Sequence, residues 1–290
     1  MSLKVVIISY CGASEAYVAR KIIEQYPSTV IIQPVRSQKA PEVHISSLTG
    51  ATRLLRNWLG KMGERRHRDR LINRLYPGGT QPSIPNIVPF PESDMNSRPG
   101  VELIDSLQPD VLMSCGAPML SAELIGIPKL AAINIHYGIP PHYRGNNTLF
   151  WPMLKRDFDN LGACIHHLTK GVDTGNLLAV IRPALQPKDG LLSVEFKITH
   201  LLPGVLLEFL ALIEQSHAVP GIPQTGAGRN YKKKERTIRK RIEYHSKRTF
   251  GLLRIPNRPA EVIKYFGDIR QSQGELGHED PGSTQEKIVI

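Results

Sequence analysis

Short apolar runs and amphipathic stretches alternate along the first 35 residues of the chain. The run KVVIIS (4–9) is β-branched and has no polar alternation, which is typical of a parallel strand buried on both faces. Apolar positions up to Ile23 then recur with a helical period, and Ser14 is the predicted N-cap of that helix. The run TVIIQ (29–33) predicts a second strand. Strand, helix and strand in this order predict a right-handed crossover into a parallel sheet.

The same alternation resumes after residue 100. The predicted strands cover 110–114, 131–136, 162–168 and 177–181. The predicted helices cover 101–107, 120–125, 147–156 and 193–215, the last one interrupted at Pro203. Strands that alternate with helices predict an α/β fold with a Rossmann-like, mostly parallel sheet and helices on both faces. The segment CGASEA after the first strand lacks the GxGxxG glycine pattern, so bound NAD is not expected.

One segment inside this alternation has a different composition. Residues from about 40 to 77 are polar and basic, and we interpret them as a partly helical insertion. Leu54, Leu55 and Trp58 are spaced to form its packed face. The following GGTQPSIP (78–85) predicts a loop.

The composition changes again after about Val219, where prolines and glycines lead into a basic run and a polar tail. Between residues 229 and 248 ten lysines and arginines stand against two acidic residues, in a chain of net charge +11. Such a run is typical of a surface that binds nucleic acid, an anionic membrane or phosphorylated ligands, and the alternative is a solvated surface without a ligand. We predict a main domain over 1–218 and a small basic C-terminal extension over 219–290, with poor order from 270 onward.

The bulk composition is that of an ordinary globular protein. Apolar residues make up 41% of the chain and charged residues 22%. No run of eighteen apolar residues occurs, so no membrane span is predicted. The N-terminal MSLKVVIISY has no small-residue cleavage site after it, and the three cysteines are scattered. We therefore expect a cytoplasmic protein without a disulfide framework.

Candidate chemistry begins in the segment INIHYGIPPHYRG (133–145). Asn134 and His136 lie two apart in a predicted strand, so their side chains share one face of the sheet. The carboxyl end of such a strand is where open α/β sheets bind ligands. The structural alternative is that the two side chains only cap the strand and hold the turn at Pro140-Pro141.

A third polar group strengthens the functional interpretation. Asp173 lies in the turn of GACIHHLTKGVDTG (162–175), between Gly171 and Gly175, which allow backbone angles that other residues resist. An amide and a protonated imidazole can donate to a developing oxyanion, and a carboxylate can orient the imidazole and pass a proton. None of the three is a strong nucleophile, which favours direct acyl transfer to a bound amine.

These motifs together resemble a known family. NIH, PPHYRG, Trp151, the GxxIH strand and GVDTG occur in the order found in formyltransferases that use 10-formyltetrahydrofolate. The resemblance covers about 100 to 185 well and the first 35 residues in outline. It implies a formyltransferase fold, 10-formyltetrahydrofolate as formyl donor, and catalytic roles for Asn134, His136 and Asp173. Asn134 and His136 would stabilise the oxyanion, and Asp173 would tune His136 and help remove the amine proton.

The resemblance also implies surrounding roles. One wall of the folate pocket would be Ala117, Met119 and Leu120, and the other would be Lys170, Gly171 and Val172. Tyr143, Arg144 and Gly145 would border the site on the substrate side, and His166 would support it. The chain departs from the family at the turn Tyr137-Gly138-Ile139-Pro140 and at Cys164, both beside the three catalytic positions.

The acceptor remains open among several classes. We expect a primary amine on a small phosphorylated or nucleotide-linked molecule, such as an aminosugar. Methionyl-tRNA formylation is the alternative, disfavoured because the extension shows little of the strand alternation expected of that enzyme's C-terminal barrel. Hydrolysis of the formyl-folate, or a non-catalytic folate- or nucleic-acid-binding protein, are further alternatives. No metal is expected, because the histidines lack ligand spacing, and the cysteines in apolar strands are expected to be core residues.

Overall fold

The computed structural model describes residues 3–37, 48–216, 221–266 and 286–289. Within these ranges the chain forms eleven strands and seven α-helices. The strands are β1 (Val5–Ile8), β2 (Val30–Val35), β3 (Ile87–Pro91), β4 (Val111–Cys115), β5 (Ala131–His136), β6 (Arg144–Gly145), β7 (Ala163–His167), β8 (Leu177–Arg182), β9 (Asn230–Tyr231), β10 (Glu261–Lys264) and β11 (Glu286–Val289). The helices are α1 (Ala13–Gln25), α2 (Leu48–Leu75), α3 (Arg98–Ser106), α4 (Ala122–Ile125), α5 (Phe150–Lys155), α6 (Leu191–Ser216) and α7 (Ile238–Thr249).

Nine of these strands form one mixed sheet in the order β11-β10-β8-β7-β5-β4-β1-β2-β3. The five strands from β3 to β5 are parallel, as βαβ crossovers require. From β5 onward each neighbouring pair is antiparallel. The predicted Rossmann-like α/β fold is confirmed, with an antiparallel half added at one edge.

Alternate residues of the central strands enter two different apolar clusters. Val5 and Ile7 pack with α1 and α6 on one face, whereas Val6 and Ile8 pack with α3 and α4 on the other. In β5, Ile133 belongs to the α1/α6 cluster, and Ala132 packs against the α3/α4 cluster. Asn134 and His136 therefore project from the α3/α4 face of the sheet.

Two predictions about helices are wrong. Helix α1 begins at Ala13 with Gly12 as its N-cap, so Ser14 lies inside the first turn, where its hydroxyl donates to Glu195 Oε1 at 2.9 Å. Helix α6 runs through Pro203 without interruption. A proline removes only one backbone donor, and the ten buried side chains of α6 hold the helix together around it.

Helix α6 is also apolar and long enough, by composition and length alone, to cross a membrane. Half of its most apolar window is buried inside the protein, and the helix packs against α1 and β8. Both features are typical of a core helix.

The basic segment predicted over 40–77 contains α2, and 78–85 is the expected loop. The side chains of Leu54, Leu55 and Trp58 lie outside the described residues. The division at 218 stays a prediction, although described parts of the extension pack on the main domain: β10 pairs with β8, and β9 pairs with β6. Most of the tail after 270 also lies outside the described residues, and β11 pairs with β10.

The aromatic side chain of Tyr231 anchors the extension. It is only 1% exposed, stacks on Trp151 at 4.8 Å between ring centres, and stacks on Tyr143 at 5.6 Å. Its hydroxyl accepts a hydrogen bond from Lys155 Nζ. This contact joins β9 to α5 and to the loop that carries Gly145.

Candidate active site

Strand β5 delivers two of the predicted catalytic side chains to one place. The register pairs Asn134 with His166 of β7 and His136 with Cys164, so Asn134, His136 and His166 share a face of the sheet. Their rings and amide lie close: the imidazoles of His136 and His166 are 6.4 Å apart between centres. Asn134 Nδ2 lies 3.1 Å from His166 Nε2.

The carboxylate of Asp173 lies between these groups. Its Oδ1 accepts from Asn134 Nδ2 at 3.2 Å and lies 3.4 Å from His166 Nε2. Its Oδ2 accepts from the backbone N–H of Gly145 at 2.8 Å and lies 3.5 Å from His136 Nδ1. The structure therefore brings together Asn134, His136, Asp173, His166 and Gly145, which come from separate segments of the chain.

The turn holds Asp173 differently from the sequence prediction. Neither flanking glycine has a left-handed backbone; Asp173 itself does, with φ of +50°. That conformation is uncommon outside glycine, asparagine and aspartate, and it is found at functional sites where the surroundings enforce it. Gly175 is needed for space, because a Cβ there would lie 1.8 Å from the carbonyl oxygen of His167.

The electrostatics of Asp173 favour an ionised group. Burial raises the pKa of this carboxyl, but the contact with His166, the charge of His136 and the N–H of Gly145 outweigh burial and lower its pKa to about 2. Asp173 is therefore a carboxylate at neutral pH.

The imidazole of His136 is buried and oriented at both nitrogens. Its Nε2 lies 2.9 Å from the carbonyl oxygen of Tyr143, which can only accept, so we assign a proton to Nε2. Burial lowers the pKa of His136 below its usual 6.5, against the opposing effect of Asp173. In the neutral ring Nδ1 is unprotonated and faces the Asp173 carboxylate. Gly138 permits this packing, since a Cβ there would lie 2.6 Å from His136 Nε2.

His166 supports Asn134 from the neighbouring strand. Its Nδ1 lies 2.8 Å from the carbonyl oxygen of His167, which can only accept, so we assign a proton to Nδ1. Its Nε2 lies 3.1 Å from the Asn134 amide nitrogen and 3.4 Å from Asp173 Oδ1, so the ring is held beside both groups. His166 is 2% exposed, in keeping with a supporting position.

The loop after β5 encloses the site, and a residue missed by sequence reasoning holds it. Arg144 donates from Nε to Gln224 Oε1 at 3.1 Å, and Gln224 Nε2 donates to the carbonyl oxygens of Asp173 and Gly175 at 2.9 and 2.7 Å. Tyr143 contributes its carbonyl to His136, while its hydroxyl donates to Asp157 at 2.8 Å. No local motif marks Gln224, because all of its partners are distant in sequence.

The residues predicted to line a folate pocket lie outside this hydrogen-bonded cluster. Leu120 is buried in the α3/α4 cluster, Ala117 packs against it, and Met119 is 62% exposed. Asn96 fixes this loop by donating to the Met119 carbonyl at 2.8 Å and accepting from Ser121 N at 2.7 Å. In the other predicted wall, Lys170 and Gly171 are exposed and Val172 is half-buried.

The cysteines near the site are positioned as core residues. Cys115 and Cys164 are buried in β4 and β7, and burial raises the pKa of each thiol well above its usual range. A thiol with a raised pKa forms little thiolate at neutral pH. Among the described residues, no group of three or more His, Cys, Asp or Glu side chains is arranged to hold a metal ion.

A known family model matches the part of the chain that carries the three candidate catalytic residues. Residues 89–210 match the family model described as formyl transferase. A methionyl-tRNA formyltransferase from Methylacidiphilum infernorum is 29% identical over 146 residues, which are 50% of this chain and 45% of that enzyme. The chain thus spans less than half the length of this curated relative.

Two solved structures share the fold over most of the chain. A sugar N-formyltransferase from a Shewanella species matches with a TM-score of 0.53 and 15% identity, covering 83% of this chain and 86% of that one. HypX from Aquifex aeolicus, crystallised with tetrahydrofolic acid, matches with a TM-score of 0.52 and 14% identity, covering 84% of this chain and 34% of HypX. At these identities the likeness concerns the fold.

Proposed function

We propose that this chain, whose residues 89–210 match the formyl transferase family model, transfers the formyl group of 10-formyltetrahydrofolate to a primary amine. The observation that carries the proposal is the position of the Asp173 carboxylate. It lies within 3.5 Å of nitrogens of Asn134, His136 and His166. A purely structural strand cap would not need a buried carboxylate in a left-handed turn to meet two histidines.

The surface beside the site fits a flat, partly apolar donor. The α3/α4 cluster includes Leu120, and Ala117, Ala132 and Leu168 pack against it. Ala132 lies two residues before Asn134 on the same face of β5. Met119 presents an exposed apolar side chain from a loop that Asn96 keeps in place. We assign the pterin to this surface, between Met119 and the turn Lys170–Val172. The donor supplies an electrophilic formyl carbon.

The proposed reaction is a direct transfer. The amine nitrogen attacks the formyl carbon, and the carbonyl electron pair moves onto oxygen. That pair then re-forms the carbonyl as the bond to the folate nitrogen breaks, and the folate nitrogen takes the proton that the amine has lost. The Asn134 amide supplies a neutral donor for the developing oxyanion, with the Nδ2 hydrogen that is directed at Asp173 Oδ1 before the donor binds. No side chain in the site needs to form a covalent bond.

His136 and Asp173 divide the proton chemistry between them. His136 has a lowered pKa and a free Nδ1, so it accepts the proton of the attacking amine, directly or through water. Asp173 stays ionised because its pKa is about 2, and it stabilises the imidazolium that forms 3.5 Å away. The cation so created adds to the stabilisation of the oxyanion.

We propose a small nucleotide-linked amine, of the aminosugar class, as the acceptor. The support is the similarity of fold over 83% of the chain to a sugar N-formyltransferase. The alternative acceptor is charged initiator tRNA, supported by the methionyl-tRNA formyltransferase relative. In the described part of the extension, 221–266 and 286–289, strands β10 and β11 add to the main sheet and no separate barrel is present, which favours the small acceptor.

The test is acceptor-dependent release of tetrahydrofolate. Purified protein is mixed with 10-formyltetrahydrofolate and a panel of nucleotide-linked aminosugars, amino acids and methionyl-tRNA. Tetrahydrofolate is followed by absorbance and the formamide by mass spectrometry. We expect release only with an aminosugar nucleotide. Release without amine would indicate a hydrolase, and no release with any amine, together with unaltered folate binding in Asn134→Ala, would overturn the enzymatic proposal.

A further inference from the structure

A cavity of about 750 Å³ lies between α2, the loop 186–190, the first turns of α6 and the end of α7. It lies on the opposite side of the central sheet from the site described above. Helix α6 packs on the face of the sheet that carries Ile133, whereas Asn134 and His136 project from the opposite face. None of the catalytic side chains lines the cavity.

The walls of the cavity are strongly basic. Five cationic side chains line it: Arg70, Arg74, Lys188, Lys197 and Arg248. Its one acidic side chain, Asp189, is paired with Lys197 at 2.7 Å. Within the described ranges, the other four cations have no carboxylate within ion-pair distance. The cavity therefore holds a net excess of four positive charges from three separate elements.

The backbone adds further donors at the same place. These donors are the N–H groups of Leu192 and Ser193 in the first turn of α6, where the helix supplies no acceptor. The two preceding N–H groups are already engaged: Gly190 donates to Ser193 Oγ, and Leu191 donates to the Tyr244 hydroxyl at 3.2 Å. The positive end of the α6 dipole points to the same region. Arg248 lies against this turn, since a Cβ on Gly190 would come 2.8 Å from its Cζ.

The four cations without a carboxylate partner are solvent-exposed and concentrate positive potential beside the positive end of α6. A multiply charged anion is attracted to this potential and gains charge-assisted hydrogen bonds from the arginines. Phe196 also lines the cavity, with Arg74 placed 5.9 Å over its ring, and Leu192 adds a second apolar contact.

We propose that this cavity binds the polyphosphate group of a nucleoside di- or triphosphate, at a site separate from the catalytic one. The cations and first-turn amides hold the phosphates, and Phe196 and Leu192 give the cavity an apolar wall for the nucleoside. The cations converge on one cavity from α2, the loop 186–190 and α7, which favours a compact, multiply charged ligand over an extended nucleic-acid strand. The site goes beyond the proposed formyl transfer and does not depend on it.

The test is calorimetric titration of the full chain with inorganic triphosphate and with ATP, in the absence of folate and amine. Wild-type protein should bind both, and affinity should fall when salt is raised. Arg74→Ala/Arg248→Ala should weaken binding by about tenfold or more. The matched control is Lys233→Ala/Lys234→Ala, which removes the same charge from exposed residues outside the cavity and should change binding less than about twofold.

Three results would overturn the proposal. One is absence of binding at about 1 mM ligand, or equal loss in the two double variants. Another is loss of triphosphate binding in Asn134→Ala, which would make the ligand part of the catalytic site. The third is a single-stranded oligonucleotide that binds this cavity far more tightly than triphosphate, which would make it a nucleic-acid surface. None of these readouts depends on formyl transfer.

Discussion

The side-chain amide of Gln224 donates to the backbone carbonyl of Asp173 at 2.9 Å, although the two residues are 51 positions apart. The same nitrogen donates to the carbonyl of Gly175 at 2.7 Å, and Oε1 accepts from Arg144. Gln224, which lies beyond residue 218, thus holds two backbone carbonyls of the turn that carries Asp173. It also holds Arg144, in the loop that encloses the site. The left-handed backbone of Asp173 is kept in place partly from the C-terminal extension.

Removal of this clamp should lower turnover more than it affects substrate binding. Gln224→Ala loses both donors and the acceptor for Arg144, so Asp173 is no longer held opposite His136. We expect kcat to fall about tenfold with KM little changed, because small misplacements of a catalytic group are costly. Steady-state kinetics measure both constants. Gln224→Glu keeps the acceptor and loses the donors, and it should resemble Gln224→Ala; wild-type kcat in both would contradict a positioning role.

Local pattern predicted the parts of this site that lie in regular structure. Strand β5 and its neighbour β7 follow from apolar runs, and the shared face of Asn134 and His136 follows from strand alternation. Gln224 could not be predicted, because its role depends on contacts across 49 to 80 residues. Long-range packing of this kind leaves no period in the sequence.

Strands β3 and β10 were not predicted from the sequence, and each omission has a physical reason. β3 contains Pro89 and Pro91, which disguise it as a turn, yet it lies at the edge of the sheet, where missing donors are tolerated. β10 is four residues long and lies in a polar context, so its two buried positions give too short a signal. The left-handed backbone of Asp173 was not predicted, because the nearby glycines adopt that conformation more readily.

Asp173→Asn should lower turnover far more than donor binding. Asparagine keeps the size and can still accept from Gly145 N–H, but it carries no charge to stabilise protonated His136. We expect kcat to fall about 100-fold or more, with the Kd for the folate within a few fold of wild type. Single-turnover kinetics and folate titration give the two values. Asp159→Asn, at a side chain 98% exposed, is the matched control and should behave as wild type.

The activity should fall on the acid side of neutrality. His136 must be neutral to accept a proton, and burial lowers its pKa below 6.5, so it is neutral at pH 7. As pH falls through this lowered pKa, His136 becomes charged and kcat/KM declines. In Asp173→Asn the opposing effect of the carboxylate is absent, so the acid limb should move to still lower pH. A pH profile of both proteins tests this; a limb that moves upward would contradict the assignment.

The extension should be needed for stability, because Tyr231 is buried between Trp151 and Tyr143. Tyr231→Ala leaves a cavity and should cost about 3–5 kcal/mol in the free energy of unfolding. Tyr231→Phe keeps the stack and loses only the contact with Lys155, which should cost about 1 kcal/mol. Urea unfolding measures both. Equal, small effects would indicate that the extension folds apart from the main domain.

The role of the basic run in acceptor choice is best tested without deleting it. Tyr231 and Tyr244 are buried, so removal of 229–248 would damage the fold and confuse the result. Lys233→Ala/Lys234→Ala instead removes two exposed charges and leaves those side chains intact. For a small acceptor we expect unchanged turnover and only weak tRNA binding in wild type and variant alike.

A tRNA enzyme would give a different result. Phosphate contacts release counterions, so its tRNA affinity would fall steeply with salt, and this variant would reduce the slope of log affinity against log salt concentration by about 2. That outcome, measured by filter binding across a salt series, would replace the aminosugar with tRNA as acceptor.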